Sequence, residues 1–245
     1  MAADVLVLCY HAVSPTWTAA LSTTPGRFER QMVRLVRRGY RGVTFTDAVT
    51  AAARGRVLAV TFDDAFHSVF ELARPILDRL GVPATVFVPT DFISERRTLD
   101  WPGVGHWIGG AHEQELAPMS WAQMRTLAES GWEIGSHTGS HPRLTALEEP
   151  SLEDELRRSK AACEQSLQRA CSSLAYPYGD VDERVVEAAA RAGYSAAAAL
   201  PEGRLEPPRT LSWPRIGIYH RDAGVRFALK ASPTVRRLRT RAPVA

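Results

Sequence analysis

Apolar residues in this chain alternate between short unbroken runs and stripes of helical period. The runs 5–9, 57–62 and 84–88 are dominated by Val, Leu, Ala, Phe and Thr. They are too short for helices and end in polar residues or turn formers, so each predicts a buried strand. Shorter runs at 43–45, 132–136, 173–176, 195–199 and 215–219 predict further strands. Between them, Phe28, Met32, Leu35 and Val36 recur at i, i+4, i+7 and i+8, one face of a helix. Similar stripes predict helices at 46–53 with Thr46 as N-cap, 68–80 stopped by Gly81, 121–130, 151–170, 183–192 and 223–229. Residues 89–118 form a long connection of the kind that often serves as a lid or binding element.

About eight strands alternating with helices imply a parallel α/β sheet, first as a closed or nearly closed barrel and second as an open doubly wound sheet. No GxGxxG or P-loop pattern follows any strand, which lowers dinucleotide and nucleoside triphosphate binding. The length of 245 residues, without repeats or Ser/Gly linkers, fits one domain at 1–229. Charge refines this picture. Of 30 basic residues, Lys230, Arg236, Arg237, Arg239 and Arg241 lie in 230–245, a stretch with no acid. The remaining 25 face 27 acidic residues, so the body is nearly neutral and the basic character belongs to a flexible tail. Nucleic acid is therefore not an expected partner, while a weak contact of the Arg-rich tail with an anionic membrane surface is. The three cysteines lack metal-type spacing, and the N-terminal segment has no basic stretch ahead of its apolar run. Both features read as a reduced, cytoplasmic protein whose first residues form a strand.

Polar chemistry collects where the predicted strands end. His11 follows the first, Asp63 and Asp64 end 57–62, His137 and His141 follow 132–136, and Arg215 opens the last. In a barrel, one rim would present two carboxylates, three imidazoles and a guanidinium. Adjacent carboxylates repel unless one is neutralised, and a cation on one leaves its neighbour free as a base. Two His plus one Asp give a three-ligand N/O set with an open position for water, as in catalytic zinc sites. Zn2+ fits best, and Ni2+, Co2+ and Fe2+ share the donor preference.

The segments Thr61-Phe62-Asp63-Asp64, Ser136-His137-Thr138-Gly139-Ser140-His141-Pro142 and Tyr176-Pro177-Tyr178-Gly179, after the opening Tyr10-His11-Ala12-Val13, resemble the ordered motifs of the polysaccharide deacetylases with a NodB-type domain (carbohydrate esterase family 4-like). The resemblance runs from about residue 5 to 219. It implies a distorted, incomplete (β/α) barrel of seven to eight mostly parallel strands. It also implies metal-dependent removal of an N-acetyl group from an amino sugar, a carbon–nitrogen bond that is not a peptide. Asp64, His137 and His141 would hold the metal, Asp63 would be the general base and the Tyr178 N–H would help bind the oxyanion. Tyr176 and Pro177, with Trp101 and Trp107 from the long connection, are the expected substrate contacts. Two departures stand out. The family's late Leu-x-His acid motif is missing, which leaves His11 as the better candidate, His220 as a surface residue, and Asp63 to shuttle the proton itself if neither serves. Ala175 stands where many members carry an arginine that pairs with the base, and Arg215 is the residue that can supply that charge. With a cytoplasmic location, a glycan precursor or small glycoconjugate is the expected substrate. Hydrolysis of a formamide or cyclic imide, or glycan binding without turnover, are the alternatives.

Overall fold

The computed structural model describes residues 4–51, 54–201 and 207–241. The chain runs through β1 (Asp4–Tyr10), β2 (Ala12–Val13), β3 (Ser22–Thr23), α1 (Pro25–Arg37), β4 (Arg41–Val43), α2 (Phe45–Thr50) and β5 (Arg56–Phe62). A π-helical turn leads into α3 (Arg74–Leu80), then β6 (Ala84–Val88), α4 (Thr90–Ser94), α5 (Trp121–Glu129), β7 (Glu133–Ser136) and α6 (Glu149–Leu167). The series continues with β8 (Ser173–Ala175), α7 (Glu183–Arg191), β9 (Ala196–Ala199), β10 (Trp213–Pro214), β11 (Ile216–Gly217), α8 (Gly224–Ala231) and α9 (Pro233–Arg241).

The main sheet is parallel, in the order β10-β9-β8-β7-β6-β5-β1-β11, with β4 added beside β5. Arg215 alone separates β10, paired with β9, from β11, paired with β1. One extended segment thus touches both ends of the sheet and nearly closes it into the distorted barrel that the strand–helix alternation implies.

Strand side chains alternate between two cores. Leu6, Leu8, Leu58, Val60 and Leu174 point outward, under the helices. Val7, Val57, Ala59, Phe87, Ala175, Ala196 and Ala198 point inward, where Phe45, Ala48 and Val49 of α2 join them as a plug. Because both faces are covered, β1 and β5 read as continuous apolar runs. Thr44, rather than Thr46, caps α2, its hydroxyl accepting from the Asp47 N–H. The Thr46 N–H and the Thr85 and Ser173 hydroxyls all donate to Glu133, satisfying a carboxylate low in the barrel.

Gly135 makes room for Phe87. A Cβ at 135 would stand 2.5 Å from Ser173 Oγ and 2.7 Å from the Phe87 ring. Gly135→Ala is expected to destabilise the fold by about 1–3 kcal/mol through overpacking, read from the urea midpoint at unchanged m-value.

The basic segment is helical through Arg241 where a flexible tail is expected from its charge; residues 242–245 lie outside the described part. Arg236 on α9 pairs with Asp4 and donates to Val5 O at 2.9 Å, docking the helix on the amino end of β1. Among the described residues, no helix is long and apolar enough to cross a membrane.

Candidate active site

The inward parity of each strand continues into the turn after it. Residues 9 and 11 of β1 and its continuation, 61 and 63 of β5, and 135 and 137 of β7 all extend the inner columns. This places His11, Asp63 and His137 at the carboxyl end of the barrel, where Asp64, His141 and Tyr178 join them. Together with Trp101, these residues line one cavity of about 300 Å³. Asp64, Ala65, Thr138, His141 and Tyr178 all have φ between 54° and 69°. Left-handed backbone at non-glycine positions persists only where the surroundings hold it, and it clusters at functional sites.

Asp64 Oδ1 lies 3.4 Å from Nε2 of both His137 and His141. That is long for a hydrogen bond, and this fully buried oxygen has no hydrogen-bond partner. Two N/O ligands of a tetrahedral zinc ion, each about 2.0–2.1 Å from it, stand about 3.4 Å apart. The orphaned oxygen and the spacing therefore fit a bound cation. His137 Nδ1 is 2.8 Å from Ala175 O; since a carbonyl only accepts, Nδ1 carries a proton. Burial alone would lower the His137 pKa, but the facing Asp64 carboxylate raises it, so a cation would take the place of a proton on Nε2. Burial pushes His141 below its ordinary value, against the pull of the facing Asp64 carboxylate. Burial opposes ionisation of Asp64, but the facing imidazoles outweigh it and hold the carboxyl well below the usual range.

Asp63 is gripped from behind. Arg215, with its side chain fully buried, donates to Asp63 Oδ1 at 2.6 Å and Oδ2 at 2.7 Å, and also to Thr61 Oγ1 at 2.9 Å. Burial alone would raise the Asp63 pKa; the guanidinium reverses this and lowers it to about 2. Cys9 Sγ donates to Asp63 Oδ2 at 3.4 Å. Asp63 is thus ionised and fixed in orientation near neutral pH.

The turn carrying the two histidines is clamped by Glu155 of α6. Its carboxylate accepts from the Gly139 N–H at 2.8 Å, the Ser140 N–H at 3.0 Å and the Ser140 hydroxyl at 2.7 Å. The sequence carries a signal for this residue. The buried face of α6 reads Leu152, Glu155, Leu156, Ser159, Cys163, with an acid among positions of core period. Glu155→Ala would leave the buried Gly139 N–H unpaired and loosen the turn that carries His141. Metal affinity is expected to fall about 10–100-fold, measured by competition with a chromophoric chelator.

Residues 50–197, more than half of the chain, match the family profile described as polysaccharide deacetylase. The chain belongs to this family. Curated relatives include YxkH of Bacillus subtilis (strain 168), 26% identical over 197 residues. A poly-beta-1,6-N-acetyl-D-glucosamine N-deacetylase of Staphylococcus aureus (strain N315) is 23% identical over 199 residues. These alignments take in 78% and 76% of this chain but 63% of each relative. Among solved structures, the Streptococcus pyogenes deacetylase PplD in complex with acetate superposes with a TM-score of 0.77 at 24% identity, covering 94% of this chain and 99% of that one. IcaB from Ammonifex degensii gives 0.72 at 23% identity, with 94% and 99% covered. At that identity the likeness shows the fold.

Not every expected contact reaches the cavity. Tyr176 sits on the outward parity of β8, fully buried, its hydroxyl donating to Leu211 O at 2.7 Å. Pro177 is buried in the turn behind Tyr178. Trp107 packs edge-on against Trp17, 5.8 Å between ring centroids, away from the lining. Trp101 does line the cavity, stacked on His141 at 4.0 Å and 19°. Tyr219, Leu21, Val104 and Leu200 also line it. Leu21 and Val104 come from segments without regular period, where sequence pattern gives no direction for a side chain, while Tyr219 closes the run 215–219 and Leu200 follows the run 195–199. His220 lies outside the lining, its N–H donating to Ala20 O at 2.8 Å.

Proposed function

We propose that this chain is a metal-dependent hydrolase that removes the N-acetyl group from an amino sugar of a glycan. The observation that carries the reading is the pairing of Asp63, held ionised by Arg215, with the Asp64–His137–His141 set in one cavity. Asp64, His137 and His141 are the ligands for a divalent ion, most suitably Zn2+. When bound, that ion supplies a water of lowered pKa and polarises the amide carbonyl. Asp63 would take the proton of the attacking water, and Arg215 holds the carboxylate in place for that role. The Tyr178 N–H would help bind the developing oxyanion. His11 is the residue placed to hand a proton to the departing amine; burial lowers its pKa, so the proton it passes on is the one that Asp63 takes up. Its Nδ1 has no hydrogen-bond partner, and it lines the same cavity as Asp63.

A second cavity of about 620 Å³ adjoins the first across Trp101, His141 and Tyr178. It gives room for the saccharide units that flank the one being deacetylated. The name of the Staphylococcus relative makes oligomers of β-1,6-linked N-acetylglucosamine the first probe. Acetate and free amine are expected in equal amounts; formate or ammonia released from other amides would move the assignment to that chemistry. Metal bound without release from any amide would leave a binding protein.

Chelation provides a separate check. Dialysis against a chelator is expected to abolish acetate release and lower the unfolding midpoint, and added Zn2+ to restore both. Binding at 100 times its Kd is worth about 2.7 kcal/mol of stability.

A further inference from the structure

We propose that Cys9, His11 and Asp63 form a second cation site beside the Asp64–His137–His141 set, one that takes a thiophilic divalent ion and stops the reaction when filled. Cys9 and Thr61 are register partners on the adjacent parallel strands β1 and β5. Stepping two residues on along each strand keeps the inward face and reaches His11 and Asp63. A sulfur, an imidazole nitrogen and a carboxylate oxygen therefore converge, all within 4.8 Å of one another.

The spacing suits a metal as well as it suits the present hydrogen bond. Cys9 Sγ and Asp63 Oδ2 are 3.4 Å apart. A tetrahedral ion bonded to sulfur at about 2.3 Å and to oxygen at about 2.1 Å separates its ligands by about 3.6 Å. His11 adds the second observation: it is only 7% exposed, yet its Nδ1 has no hydrogen-bond partner. An ion can arrive through the cavity that His11 and Asp63 line. On binding, the Cys9 S–H bond breaks, an S–metal bond forms and the proton leaves to solvent. The lone pair of Oδ2 that accepted the thiol hydrogen passes to the ion.

Arg215 holds both oxygens of the same carboxylate, so its charge opposes a cation here. The second site is therefore weaker than the first and needs the affinity of a thiolate. Cd2+ and excess Zn2+ meet that need, and Mg2+, which prefers oxygen donors, does not. Occupation ties up Asp63 and His11 together. The inhibition rests on the roles assigned to them above, whereas the binding does not.

The test counts Cd2+ by equilibrium dialysis and follows the thiolate-to-cadmium absorption in the ultraviolet, in wild type, Cys9→Ser and His11→Ala. Cys163 and Cys171 offer other thiols, so the reading is the difference between proteins. Wild type is expected to bind one more Cd2+ than Cys9→Ser, with extra thiolate absorption, and His11→Ala to bind that ion more weakly. Acetate release in excess Cd2+ is compared with each protein's own rate at one equivalent. It should fall about 10²-fold or more in wild type, since acid–base catalysis is lost, and stay nearly level in Cys9→Ser. Equal cadmium counts and equal absorption in wild type and both variants would overturn the site while leaving the deacetylase reading intact. Cadmium held through Cys9 and His11 without loss of rate would confirm the site but overturn the inhibition, together with the roles given to Asp63 and His11.

Discussion

Asp63→Asn is expected to bind metal like the wild type and to release almost no acetate. General-base catalysis is worth about 10²–10⁴-fold, and an amide cannot accept the proton of the attacking water near neutral pH. The three ligand side chains are untouched by this change, so metal stoichiometry should stay at the wild-type value. Asp64→Asn should behave differently, losing metal and activity together because it removes the one anionic ligand. The measurement is metal content beside initial rates of acetate release for both variants. If Asp63→Asn keeps more than about a tenth of the wild-type rate, Asp63 is not the base. The low pKa of Asp63, about 2, adds a pH expectation: the carboxylate stays ionised down to strongly acid solution. Protonation of Asp63 therefore should not limit the rate in mildly acid buffers.

The legible part of this protein was its strand ends. Runs such as 57–62 show their length and hydrophobicity directly, and the residue after a buried strand in a parallel barrel lies at its carboxyl rim. That geometry brings Asp63, Asp64, His137 and His141 together without a residue-level view of packing. Arg215 opens its run rather than ending one, so it is legible from the arginine missing at Ala175 and not from the rim rule. Tyr176 and Trp107 show where the reading stops. The motif Tyr176-Pro177-Tyr178 names three neighbours, but strand parity turns Tyr176 outward, and only the left-handed turn at Tyr178 (φ 60°) brings that residue to the cavity. Trp107 belongs to a segment with no period, so its partner Trp17 is set by tertiary contacts alone. Glu155 lies between these cases: its place on an apolar helix face marks it as buried, but its partners, Gly139 and Ser140, are visible only in the fold. Thr44 and Thr46 differ by two residues as N-caps, a shift that Glu133 decides by binding the Thr46 N–H.

Arg215→Leu should be the most destabilising single change at this site. Removing one partner of a buried ion pair leaves an uncompensated charge and costs about 3–5 kcal/mol. In the wild type, the folded-state pKa of Asp63 lies near 2, below an unfolded value of about 3.9. Its pairing therefore contributes stability at pH values above about 3.9, and that contribution is lost as pH falls through the folded value. In Arg215→Leu, burial acts on Asp63 without the guanidinium, so its pKa rises above the unfolded value. The sign then reverses: the ionised form is disfavoured in the folded protein, and stability improves as acid protonates the carboxyl. Urea denaturation of both proteins at neutral and mildly acid pH should show a gap that narrows on acidification. The rate should change in the same sense, with its acid limb moving to higher pH because the base must lose a proton that wild type does not hold. Asp63→Asn combined with Arg215→Leu should cost less than the two single changes added, since the buried charge is gone. Equal stability losses at both pH values and an unchanged rate profile would separate Arg215 from Asp63 and reduce the arginine to a packing residue.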